Sequence, residues 1–221
     1  MNLTGALLPA TWHWTALTGF SALLLFAIRA APWRALQDPS RLNAWLGSIV
    51  FLLVLWMIRA GIQPGLGFHL LGATVSTLMF GPWLALVAMS LVVAGAALAG
   101  SIDPWTVPAN VLVMGAVPIA VSVALLRATQ RWLPGHFFIY IFGVAFLGGA
   151  LAMLSTGVAA SGLLFAAGAY PFETLRSDYL PWYLLMSWAE AFTTGGAMTL
   201  LVVYRPQWVA TFDDARYIVG K

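Results

Sequence analysis

The sequence predicts an all-α fold: a polytopic membrane bundle of about seven helical spans, N-terminus outside and C-terminus inside. Three observations predict it. Only 8% of the 221 residues are charged and 62% are hydrophobic, whereas a soluble domain carries roughly 25% charged residues to wet its surface. Apolar runs recur at lengths that cross a hydrocarbon core. Most of the basic residues fall into one set of connecting loops. At this length, residues 1–221 have room for a single integral membrane domain.

The first span runs from about Thr11 to Ile28 and stops at Arg29, and a polar loop with Arg34, Asp38, Pro39 and Arg41 follows. The second covers roughly Asn43 to Ile58. Gly61-Ile62-Gln63-Pro64-Gly65-Leu66-Gly67 then breaks any helix. From His69 to Phe80 the chain is apolar for too few residues to cross a core roughly 30 Å thick. It reads as a short or broken helix opened by His69 and ended by Gly81-Pro82. Further spans follow at about Pro82–Ala99, Asn110–Leu126, Phe137–Ala167 and Trp182–Tyr204. The third of these is long for one crossing, so it tilts, bends near Gly148-Gly149 or extends beyond the membrane. No strand-like alternation stands out.

With the N-terminus outside, the inner loops and tail hold Arg29, Arg34, Arg41, Arg127, Arg131, Arg205, Arg216 and Lys221. Only Arg59 and Arg176 fall outside, and the positive-inside rule selects this orientation. Trp12, Trp14, Trp33, Trp83, Trp105, Trp132, Trp182 and Trp208 sit near span ends and read as an aromatic interface belt.

Several function classes drop out. The net charge of +3 comes from scattered residues that form no basic run, which argues against nucleic-acid binding. Absent cysteine removes thiolate metal sites and thiol nucleophiles. There is no phosphate-cradling Gly-Lys-Ser/Thr motif, Gly-x-Ser-x-Gly elbow or His-Glu-x-x-His pair. The chain is expected to hydrolyse no nucleotide and to be no enzyme. Its first fourteen residues lack Lys and Arg, so no cleavable signal peptide is expected and the amino terminus is retained.

Ionisable groups at membrane depth ask for a reason. Glu190 lies in the outer third of the last span, where it serves either as a structural hydrogen-bond acceptor or as a metal ligand or support for one. His69 follows irregular backbone, which membranes tolerate only when it is buried in protein or lines a cavity. Its imidazole offers a neutral nitrogen to a metal. His13 lies near the same outer face, between two tryptophans. His136 is on the inner side and reads as interfacial.

Four short segments carry a family resemblance. MNLTGALLPATW resembles an opening MHIMEGFLPPxW, with Leu8, Pro9 and Trp12 in register. His69 stands eleven residues before Phe80-Gly81-Pro82-Trp83. Pro108-Ala109-Asn110 resembles a Gly-Ala-Asn, and Ala189-Glu190 an Ala-Glu in the last span. In this order they resemble the CbiM/NikM family, the substrate-binding membrane component of cobalt and nickel energy-coupling-factor transporters.

The resemblance implies uptake of a divalent transition metal ion as substrate, Co²⁺ or Ni²⁺ first, with copper or zinc as alternatives. It implies a site in which Met1 offers its amine, Asn2 its backbone nitrogen and His69 its ring, with His13 a candidate fourth ligand and Glu190 and Asn110 in support. Asn2 stands where the family has an imidazole, Ser101 where it has a second histidine, and Leu70-Leu71 where it has Pro-Thr. Implied partners are a transmembrane coupling subunit and cytoplasmic ATPase subunits, in a bacterial inner or plasma membrane. Two further readings remain open from the sequence: a non-transporting membrane subunit that anchors a metal-handling complex, for copper as one case, and a component whose apolar helices bind an organic ligand.

Overall fold

Each apolar run becomes helical. The computed structural model describes residues 3–219 and places α1 at Ala10–Ala30, α2 at Pro39–Leu55, α3 at Ala73–Phe80 and α4 at Pro82–Leu98. Helix α5 is a continuous run over Pro104–Trp132, α6 spans Ile139–Ala166, α7 Leu180–Tyr204, and a short α8 covers Asp214–Tyr217. Helices α1, α5 and α6 are long and apolar enough to cross a membrane, and α2 and α4 are apolar helices of 17 residues.

The differences from the sequence reading have local causes. Helix α2 starts four residues earlier than expected because Asp38 caps it, accepting the Ser40 N–H at 3.0 Å with Pro39 in the first turn. That pairing is a helix start signal. Helix α5 runs past both expected ends and contains Pro118, which lacks an N–H and crowds the preceding turn. The widened turns of Leu112–Ala116 just before it relieve that crowding. The long segment Ile139–Ala166 is a single helix whose first turns, through Phe146, are also wide. Its buried Gly148 and Gly149 lie within it.

The all-α expectation missed a hairpin. β1 (Ala60–Gln63) pairs antiparallel with β2 (Leu66–Phe68) through a Pro64-Gly65 turn, with Gly65 at φ 77°. Proline followed by a residue at positive φ is the signature of a type II turn. β1 is wholly exposed and contributes no alternating pattern. β2 buries Leu66 and Phe68, the latter 5.5 to 6.0 Å from the rings of Tyr179, Trp182 and Tyr183. His69 therefore follows a strand and precedes α3, rather than opening the helix as expected.

A helix as short as α3 leaves end groups that must find partners in protein. Seven of its eight residues are buried. At its C-terminal end the carbonyl of Leu78 accepts from the Thr211 hydroxyl at 2.8 Å and that of Met79 from the Ala210 N–H at 2.9 Å. Thr211 also meets the Tyr140 hydroxyl at 2.7 Å, so the tail beyond α7 closes one end of the bundle.

Helices α6 and α7 pack through small residues. A Cβ added at Gly157 would collide with the Tyr183 ring, itself buried and bonded to the Tyr179 hydroxyl at 3.0 Å. Gly157→Ala is expected to lower stability by about 1–3 kcal/mol, the range for overpacking a filled core. Gly162→Ala, on the same helix with open space around it, is the control. Equal thermal midpoints for the two variants in detergent would refute the packing role.

Candidate metal centre

The site is built on the four residues that connect β2 to α3. His69 is buried, at 4% exposure, with its ring 4.3 Å from that of Trp56 at the end of α2. Its Nδ1 lies 2.9 Å from the Leu70 carbonyl. A carbonyl only accepts, so Nδ1 carries a proton, and in the neutral ring Nε2 carries the lone pair. That tautomer suits metal binding through Nε2, and outer groups that hold it this way orient the ring.

The loop behind the histidine is gripped from two sides. Trp56 donates its indole N–H to the Leu71 carbonyl at 3.3 Å. Across the loop, one Glu190 oxygen accepts the Leu71 N–H and the other the Gly72 N–H, each at 2.8 Å. Glu190 sits on α7 at 1% exposure. Gly72 has φ 67°, which favours glycine, and a Cβ there would also meet the Leu52 side chain. Glu190 thus supports the backbone beside His69.

A second cluster draws the N-terminal chain into the bundle. Leu3 is fully buried and donates its N–H to Asn110 Oδ1 at 3.1 Å, while Asn110 Nδ2 donates to the Leu3 carbonyl at 3.4 Å. The same Nδ2 reaches the Thr106 carbonyl and hydroxyl, both at 3.0 Å. Gly5 donates its N–H to Asp103 at 2.9 Å. Asn110 and Asp103 both belong to the start of α5 and its cap, so this one helix end seats the N-terminal segment.

Met1 and Asn2, two of the expected ligands, lie outside the described residues. His13 Nδ1 faces the Trp105 carbonyl at 3.3 Å, and its Nε2 faces the Gly5 carbonyl at 3.4 Å. Ligation by His13 would require leaving the carbonyl on its ligating side. His136 accepts the Phe138 N–H at 3.2 Å at the start of α6. Among the described residues no three His, Cys, Asp or Glu side chains come together as a metal site. A metal on His69 would need donors other than these side chains.

Sequence reasoning did not single out Trp56 or Asp103. Trp56 differs from the tryptophans of the expected belt in being buried, at 4% exposure, whereas Trp14, Trp105, Trp132 and Trp182 are exposed. Asp103 carried one available signal, its place before Pro104 as a cap, where it also accepts the Trp105 N–H at 3.1 Å.

The profile of the CbiM family, described as the cobalt uptake substrate-specific transmembrane region, matches residues 2–208. The chain belongs to the CbiM family. A solved structure described as a truncated transition metal transporter matches with a TM-score of 0.79 at 18% identity, covering 92% of this chain and 99% of that one. Another, described as a transition metal transporter, gives 0.77 at 18% identity, covering 91% and 92%. Likeness at this identity shows the fold. A search of curated proteins returns no match. As a CbiM protein the chain is a multi-pass membrane protein, the substrate-specific transmembrane component of metal uptake, and not an enzyme.

Proposed function

We propose that this CbiM protein captures Co²⁺ or Ni²⁺ at the outer face, using the Met1 amine, the Asn2 backbone nitrogen and His69 Nε2. The observation that carries the reading is the His69 loop: a buried ring with its proton held on Nδ1 by the Leu70 carbonyl, on a backbone gripped by Trp56 and Glu190. The clamp of Asn110 on Leu3 supports it, because it fixes the chain two residues from the amine. Nitrogen donors suit these late first-row ions. In this reading Glu190 and Asn110 orient ligands without touching metal.

Topology fits the same reading. Loops assigned to the inner side bond one another: Arg41 to the Gln207 carbonyl, Trp208 to Ser40, and Arg216 to the Gln130 carbonyl. Those assigned outside do likewise, Arg59 to the Ser101 carbonyl and Tyr170 to the Pro64 carbonyl. Seven crossings, counting α3 as one with its flanking loop, put the two ends of the chain on opposite sides, and the basic inner loops favour the amino terminus and His69 outside. Energy comes from a transmembrane coupling subunit and cytoplasmic ATPases, as the chain has no nucleotide motif of its own.

The test is the metal content of the C-terminally tagged protein by mass spectrometry after loading with cobalt, nickel, copper and zinc. Near-stoichiometric cobalt or nickel is expected. Extending the chain before Met1 converts the amine to an amide and is expected to release most of it, while unchanged content would remove Met1 from the site. Asn2→His adds an imidazole and is expected to tighten binding by roughly tenfold, equivalent to about 1.4 kcal/mol. Titration with a competing chelator measures it, and an unaltered affinity would exclude residue 2 from the metal's surroundings.

A further inference from the structure

We propose that a groove between α2 and α7 binds one acyl chain of an anionic phospholipid, with the lipid phosphate on Arg41 and Arg205. The groove exists because α3, with eight residues, is too short to fill the space between helices of 17 and 25 residues. Its volume is about 800 Å³. Gly47 and Leu55 of α2, Met79 of α3, and Ala197 and Leu201 of α7 give it nearly continuous apolar walls.

Length and charge select the occupant. From Asn43 to Leu55 along α2 the groove runs about 18 Å at 1.5 Å per residue. One leaflet of hydrocarbon is roughly 15 Å deep, half of a core of about 30 Å, which a spanning helix would have to cross completely. The groove thus matches a single acyl chain better than a partner's membrane helix. Its two ends differ in charge. One end is lined by Gly72 and by Glu190, whose carboxylate repels a phosphate.

The mouth carries the cations. Trp208 lines it, held by its indole N–H on the Ser40 hydroxyl at 2.7 Å, and the Arg205 guanidinium lies 5.6 Å from the Trp208 ring centre. Arg41 Nε donates to the Gln207 carbonyl at 2.9 Å, leaving the terminal nitrogens for a phosphate. Asp38, the nearby acid, is turned onto the Ser40 N–H. An indole and two arginines at the end of an apolar channel form a headgroup site of the membrane interface.

This proposal does not rest on the metal reading. The test is native mass spectrometry of the full chain in mild detergent, with phosphatidylglycerol or phosphatidylcholine added. The protein is expected to retain one phosphatidylglycerol and to prefer it to phosphatidylcholine. Arg41→Gln with Arg205→Gln should weaken phosphatidylglycerol retention roughly tenfold or more. Gly47→Trp, at a position with open space, should displace the lipid without lowering the thermal midpoint in lipid-free detergent. Ala197→Phe serves if Gly47→Trp does not fold. Equal retention of the two lipids, or retention undiminished by the groove-filling variant, would overturn the proposal. So would cross-linking of residue 47 to a partner's membrane helix with no lipid bound.

Discussion

His69→Ala is expected to abolish metal retention, from near one ion per chain to background, while the protein still elutes as a folded species. The His69 ring places Nδ1 against the carbonyl of its own buried loop, so the proposed ligand atom is Nε2. If His69 is the proposed ligand, its loss leaves no cluster of three metal-binding side chains among the described residues to take its place. Some stability is also lost, because the ring packs 4.3 Å from Trp56 in a buried position. That loss is read separately, by the thermal midpoint without metal. His69→Gln keeps much of the packing and should bind as poorly as alanine. Full metal content in either variant would exclude His69 as a ligand.

Glu190→Ala carries the second largest effect. Both carboxylate oxygens accept loop N–H groups at 2.8 Å in a buried setting. A buried donor left without its acceptor costs about 1–3 kcal/mol, and here two are orphaned together. Destabilisation of roughly 2–6 kcal/mol follows if the two add. The loop that carries His69 loses its tether to α7, so metal affinity of the folded fraction should fall about 10–100-fold, as when groups that orient metal ligands are removed. Glu190→Gln retains one carbonyl acceptor but turns an amide N–H₂ towards the second donor, and should fall between. Melting and chelator competition on the same preparations separate the effects. Wild-type affinity in a folded Glu190→Ala protein would show that the tether is irrelevant to the site.

Parts of this were legible along the chain because they depend on neighbours in sequence. Long apolar runs mark α1, α5 and α6, and Gly81-Pro82 marks the break after a helix too short to cross. The Pro64-Gly65 turn was visible as a breaker but not as a hairpin. Exposed β1 shows no alternation, and its pairing with β2 follows from backbone bonds that composition does not encode. His69 stood out as a histidine after irregular backbone, and Glu190 as a lone carboxylate in an apolar span.

The class of the molecule could be read along the chain: a charge-poor, helical membrane protein whose spaced His69, Phe80-Gly81-Pro82-Trp83 and Asn110 carry the family resemblance. Which groups the conspicuous residues meet is set by how the helices pack. Glu190 meets the N–H groups of residues 119 and 118 positions earlier, and Asn110 meets Leu3 across 107. A hydrogen bond is set by position in space, and such separations are bridged only when the helices pack. The tautomer of His69, the grip of Trp56 on its loop and the groove left by the short α3 arise in the same way.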